Sequence, residues 1–205
     1  MEAWNEIFNP IGSSAASCSP STHALQSSPP QPSTPQPQTA PSQNLSSQVS
    51  PAKPDDVKSI AAILGAVYDV ISGPEGQRDW NRFRSLCVPE ARLTSTAKSA
   101  ASTAPRLLTV DDYIQRAGKY FATHAFYESA IVNRVQRFGN IAQVFSSYES
   151  RNAPNEKPFV RGINSIQLFY DGSRWWVLSI LWDEESPANP LPSEMATKPS
   201  SPVSE

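Results

Sequence analysis

Cysteine, histidine and long apolar runs are all scarce in this chain of 205 residues, and each scarcity excludes a class of protein. The two cysteines are Cys18, in a Pro/Ser-rich stretch, and Cys87, after an apolar helical pattern, so a disulfide framework is out. The two histidines, His23 and His124, provide no Cys/His zinc spacing, and neither a metal nor another cofactor is expected. No stretch approaches the roughly 20 apolar residues of a membrane-spanning helix. Charge is lacking too: from Phe8 to Ala52 there is none.

That uncharged stretch alternates Ser, Pro, Gln and Thr, as in Ser28-Pro29-Pro30-Gln31-Pro32. It cannot bury enough apolar surface to offset an ordering entropy of about 1–2 kcal/mol per residue. Residues 1–53 are therefore expected to form a disordered, partly extended linker, with a proline-recognition ligand as the functional alternative. Pro187, Pro190, Pro192, Pro199 and Pro202 repeat the theme, so 187–205 reads as a second tail. At the start, Glu2 and Glu6 stand where a signal peptide carries Lys or Arg, which points to a cytoplasmic protein. Ala15-Ala16-Ser17-Cys18 resembles a bacterial lipoprotein cleavage site without the hydrophobic segment before it, so a lipoprotein or exported form requires a misassigned start.

What remains is one domain over 54–186. Residues 55–186 hold 15 Lys/Arg and 15 Asp/Glu, a neutral balance with no concentrated positive field for nucleic acid or anionic membrane. Asp55 or Asp56 can cap a helix whose apolar positions Val57, Ile60, Ile63, Leu64, Val67, Tyr68 and Ile71 recur at three and four residues, ending at Gly73-Pro74. Asp79 opens a shorter helix through Phe83, Leu86 and Cys87. Residues 94–106, rich in Ser, Thr and Ala, read as a loop or lid. Thr109-Val110-Asp111-Asp112 fits a capping box ahead of a third helix that buries Ile114, Ala117, and Tyr120 or Phe121.

After Ala125 the period becomes two. Phe126–Phe138, Ile141–Arg151, Val160–Tyr170 and Arg174–Asp183 read as four strands, with Gly139-Asn140 and Asp171-Gly172 as tight hairpin turns. The result is an α+β order: three helices, then a strongly curved, mostly antiparallel sheet with one face left for the helices.

Three stretches carry a resemblance: Asp79-Trp80-Asn81-Arg82-Phe83-Arg84-Ser85-Leu86 as a helix, Val88-Pro89-Glu90-Ala91-Arg92-Leu93 as the strand after it, and Asp171-Gly172-Ser173-Arg174-Trp175-Trp176-Val177-Leu178-Ser179 as a final hairpin. Together with Arg161–Leu168, which looks like the feeding strand in a bacterial subgroup, they make Asp55–Glu185 resemble the nuclear transport factor 2-like superfamily, also called SnoaL-like or ketosteroid-isomerase-like. The resemblance implies a cone with an internal pocket. Members include isomerases, dehydratases, cyclases, ring-hydroxylase subunits and non-catalytic binders, so it implies no single activity.

A two-residue turn at Gly139-Asn140 places Glu128 opposite Arg151, Ala130 opposite Glu149 and Arg134 opposite Phe145. Glu128, Arg134, Gln136, Gln143, Glu149 and Arg151 then share one face, and Tyr127, Ile131, Val135, Ala142, Val144 and Tyr148 the other. Either the charged face meets solvent or a dimer partner, or part of it lines the cone, where Glu128 among aromatic walls would hold its proton more tightly and act as a general base. His124, just before the first long strand, is the second candidate base, against an exposed or capping role. Tyr68 stands where the resemblance implies a phenol donating to a substrate oxygen, although the spacing to the next helix differs; the alternative is a core tyrosine. The Asp pair of the isomerases has no counterpart, and a histidine dyad is impossible with one core His. Alternation sends Trp176 and Trp182 to one side and Trp175 to the other, for core and dimer packing or for an aromatic box beside Asn164 or Gln167. The expectation is a pocket for a small apolar or aromatic molecule, drawing on Tyr68, Trp80, Tyr148, Asn164, Trp176 and Trp182, in a homodimer formed through the sheet. An isomerase, dehydratase or cyclase using Glu128 or His124, and a protein-interaction module, are the alternatives.

Overall fold

The computed structural model describes residues 51–96 and 104–197. Residues 1–50 of the expected linker, with the Ala15–Cys18 motif, and residues 198–205 lie outside the described residues, as does most of the expected lid.

Among the described residues there are four helices, because the expected first helix divides. A short α1 (Pro54–Val57) holds Asp55 and Asp56 in its first turn, and neither caps. Ser59 is extended, and its hydroxyl accepts from the Ala62 amide (3.1 Å), starting α2 (Ile60–Ile71) afresh. Asp56 instead takes a two-pronged bond from Arg82 at 2.7 and 2.9 Å, fastening α1 to α3 (Trp80–Leu86). Cys87, expected within the helix, is its C-terminal cap and opens strand β1 (Cys87–Ser95). β2 (Arg106–Thr109) leads into α4 (Val110–Phe121), where the expected capping box is present in both directions between Thr109 and Asp112.

Strands β3 (Tyr127–Phe138), β4 (Ile141–Arg151), β5 (Val160–Tyr170) and β6 (Trp175–Glu184) make the expected meander. Gly139 (φ 54°) and Gly172 (φ 98°) supply the positive backbone angles of its two tight turns. β1 joins β6 in parallel and carries β2 on its free edge, giving one six-stranded sheet in the order β2-β1-β6-β5-β4-β3. Three register breaks, in β1, β3 and β6, bend it. The helices fill the concave side, where Ile63, Leu86, Phe121, Val144, Ile166 and Leu168 are buried in one core. No helix among the described residues is long and apolar enough to cross a membrane.

Two register breaks overturn the alternation expected from straight strands. From Phe138↔Ile141 to Arg134↔Phe145 the pairing is as expected, but an extra residue, Ile131, enters β3 between Ala130 and Val132. Glu128 consequently pairs with Ser150, not Arg151, and Ala130 with Tyr148, not Glu149. Glu128 therefore leaves the charged face and joins Tyr148, Val144 and Ala142 on the concave one. In β6 the extra residue is Leu178, so Trp182 (opposite Asn164) and Trp175 (opposite Tyr170) share a face, and Trp176 takes the other.

Of the stretch expected as a C-terminal tail, residues 187–197 are described. They return to the domain: a 3-10 turn at Ser193–Met195 buries Met195, the Leu191 amide donates to Glu185, and Glu194 lies 3.8 Å from Arg134 of β3.

Candidate functional site

The register break at Ile131 has a partner in the way β3 begins. Gly73, just past α2, exchanges backbone bonds of 2.7 and 2.9 Å with Phe126. The Ser72 hydroxyl donates to the Tyr68 carbonyl (2.7 Å) and accepts from the Glu128 amide (2.9 Å). Both ends of the Glu128 segment are thus fixed, and its side chain points under the helices.

There the carboxyl is only 8% exposed. The Ser150 hydroxyl donates to Oε2 at 2.8 Å, and the nearby Asn164 amide also favours the charged form. Burial disfavours the charged form more than these two neutral donors favour it, so the group is pushed up to about 7. Asn164 has a second engagement, donating from Nδ2 to the Tyr68 hydroxyl at 3.1 Å. Tyr68 Oη lies 2.6 Å from Ser146 Oγ, whose own proton goes to Asn133 Oδ1 at 2.6 Å. Tyr68 must therefore donate to Ser146, and every donor in this run points the same way, from Asn164 out to exposed Asn133. Burial and the nearby Glu128 raise the Tyr68 hydroxyl far above its ordinary value, so it stays protonated.

Beside this network lies a cavity of about 30 Å³. Val67, Ile71, Leu93 and Ile180 form its aliphatic wall, and Phe83, Tyr113, Tyr148 and Trp182 its aromatic wall. Its polar atoms come from Glu128, Asn164 and the three rings bearing an O–H or N–H. Phe83 stacks on Tyr113 at 5.3 Å, and Tyr113 meets Trp182 edge-on at 6.5 Å and 81°. The Tyr148 hydroxyl is buried without a hydrogen-bond partner among the described residues. Its ring rests on Gly162, where a Cβ would come within 2.6 Å of that hydroxyl.

No family model and no curated protein matches the sequence. Solved structures do. A protein of unknown function from Mycobacterium tuberculosis is similar with a TM-score of 0.51 at 11% identity, covering 67% of this chain and 77% of its own. A protein from Kribbella flavida gives 0.50 at 12%, over 63% and 90%. A nuclear transport factor 2-like protein of unknown function from Silicibacter pomeroyi gives 0.46 at 12%, over 62% and 94%. The likeness is one of fold, helices packed on a curved, mostly antiparallel sheet. At such identities the likeness extends to the fold alone.

Within this domain, four of the eight residues expected at the site meet around the cavity: Glu128, Tyr148, Asn164 and Trp182. Tyr68 stands one bond behind, through Asn164. The other three lie elsewhere. His124 is exposed at the end of α4, stacked on Tyr120 at 4.3 Å with Nδ1 3.0 Å from the Tyr120 carbonyl. Trp80 is half-buried between α3 and α4, stacked on Phe121 at 6.1 Å. Trp176 is enclosed by its own hairpin, its Nε1 donating to Asp171 at 2.6 Å and the Arg174 guanidinium 3.6 Å from its ring centre. Ser146, Ser150 and Tyr113 complete the site unanticipated. The two serines share the parity of Ala142, Val144 and Tyr148, which is the signal that would have found them.

Proposed function

We propose that this domain binds a small, mainly apolar molecule at the Glu128 cavity, with the carboxyl as its polar anchor. One observation carries the reading: an acidic side chain is buried among aromatic and aliphatic walls, with only neutral partners, at the edge of unfilled space. Such a group costs stability, and perturbed carboxyls lining cavities are features of working sites more often than of cores. At about 30 Å³ the space holds roughly one water. A ligand must therefore move side chains outward as it enters.

Catalysis is the second reading, favoured by the affinity of Glu128 for its proton. A carboxyl pushed up to about 7 is half-ionised at neutrality, where a general base works well. Tyr68 does not serve this reading as a donor, since its proton is engaged by Ser146. We further propose that the outer sheet face, where Phe138, Ile141, Phe145 and Leu181 are exposed, pairs with a second copy of the chain.

The test is a ligand screen by thermal shift on the full chain, repeated on Glu128→Gln. A ligand specific for the native state raises the melting point. Hits that bind the native protein and lose affinity in the variant support the cavity as the site; hits indifferent to the substitution move the site elsewhere.

A further inference from the structure

We infer that the chemical group this cavity receives is a protonated amine, carried on a small apolar body. The inference rests on the proposed ligand site and specifies its occupant. Among the ten residues lining the cavity there is one acid and no Lys, Arg or His. When ionised, Glu128 thus carries a charge that nothing beside it balances: Ser150, which donates to it, and Asn164, which also favours the charged form, are neutral. An ammonium group supplies the missing counter-charge, whereas a carboxylate or phosphate ligand would meet a like charge in a water-poor space.

The hydrogen-bonding capacity points the same way. Asn164 gives an N–H to the Tyr68 hydroxyl, and its carbonyl oxygen is an acceptor. Tyr148, 1% exposed, brings a hydroxyl oxygen with no partner among the described residues. The carboxylate and these two oxygens offer acceptors to an ammonium head, which brings up to three donors, and the Tyr148 hydroxyl can in addition donate its own proton to the carboxylate's side of the site. The walls are compatible with a cation as well, since Tyr113, Tyr148 and Trp182 line the space and aromatic rings attract an ammonium group through their faces. The existing volume suits such a head group, and Val67, Ile71, Leu93 and Ile180 offer apolar surface for the body behind it.

Isobutylamine, isobutanol and isobutyrate carry one branched four-carbon skeleton with charges of opposite sign or none, and titration calorimetry of the full chain near pH 7 separates them. Isobutylamine is expected to bind roughly tenfold or more tighter than isobutanol, with no detectable binding of isobutyrate. Because the amine ionises a carboxyl that is partly protonated, its binding must release protons, read as a dependence of the heat on the buffer's ionisation enthalpy. Glu128→Gln should bring amine affinity down to that of the alcohol and abolish the release. If alcohol and amine bind alike, or the amine is indifferent to Glu128→Gln, the amine assignment falls while the ligand site stands. If none of the three binds, both fall. Should Glu128→Gln fail to fold, the comparison of the three ligands and the proton release in the unaltered protein still decide.

Discussion

Replacing Glu128 by glutamine should change how stability depends on pH, in a direction opposite to that of most acidic residues. In the unfolded chain this carboxyl ionises at its ordinary 4.5; in the fold it keeps its proton up to about 7. The native state therefore binds the proton more tightly, and that contribution is complete below the unfolded value and lost as pH rises through the folded one. A gap of about 2.5 pH units at 1.36 kcal/mol each makes the loss about 3 kcal/mol. Glutamine has nearly the same shape and cannot ionise. Near pH 5 the variant and the unaltered protein should differ little, whereas near pH 8 the variant should be the more stable by about 3 kcal/mol, roughly 10 °C in melting temperature. Asp56 and Glu185, whose ion pairs hold their carboxyls below the ordinary range, contribute stability already complete by pH 5 and cancel in the difference. Thermal melts of the two proteins at both pH values supply the four numbers needed. A gap between them that is the same near pH 5 and near pH 8 would refute the claim that the fold desolvates this carboxyl.

Tyr68→Phe deprives Ser146 and Asn164 of a partner in a buried network and should cost about 1–3 kcal/mol in urea unfolding; a neutral result would mean that water takes over the hydroxyl's bonds. Gly162→Ala places a methyl group onto the Asp183 carbonyl oxygen and the Tyr148 ring, and should cost several times the roughly 1 kcal/mol of an ordinary surface change, read as poor soluble yield or a large drop in melting temperature. Thr109→Ala removes one half of the capping box of α4 and should cost about 1 kcal/mol by the same melt, without altering ligand binding. Phe138→Lys, at a residue 84% exposed on the outer face, should leave the melting temperature of dilute protein unchanged and shift sedimentation toward monomer if two copies pair there.

The elements legible in the sequence are those whose signals are local. Ser/Thr and Asp at the right interval announced α4, and Gly139 and Gly172 marked the two turns because few other residues tolerate a positive φ. The pairing follows correctly outward from the Gly139 turn as far as Val132. It failed beyond, because nothing in Ser129-Ala130-Ile131-Val132 says that one residue is surplus. Only the curvature needed to wrap the helices requires it. The same failure at Leu178 exchanged Trp176 for Trp175 as the companion of Trp182. The parallel union of β1 with β6 joins residues some ninety apart and left no local trace. Glu128 was recognised as a base candidate by residue type, and its side of the sheet was wrong for want of that single extra residue. His124 looked suitable by type and position, yet its ring is occupied by Tyr120 at the end of α4.

Asn133 stands on the outside, three bonds of one polarity from an amide that grips an interior acid. A change of a surface side chain there, to aspartate or to leucine, would be felt at Ser146, then at the phenol, and last at the carboxyl. The acidity of a buried carboxyl is thus open to adjustment from the rim of the domain, with no alteration to the walls that enclose it.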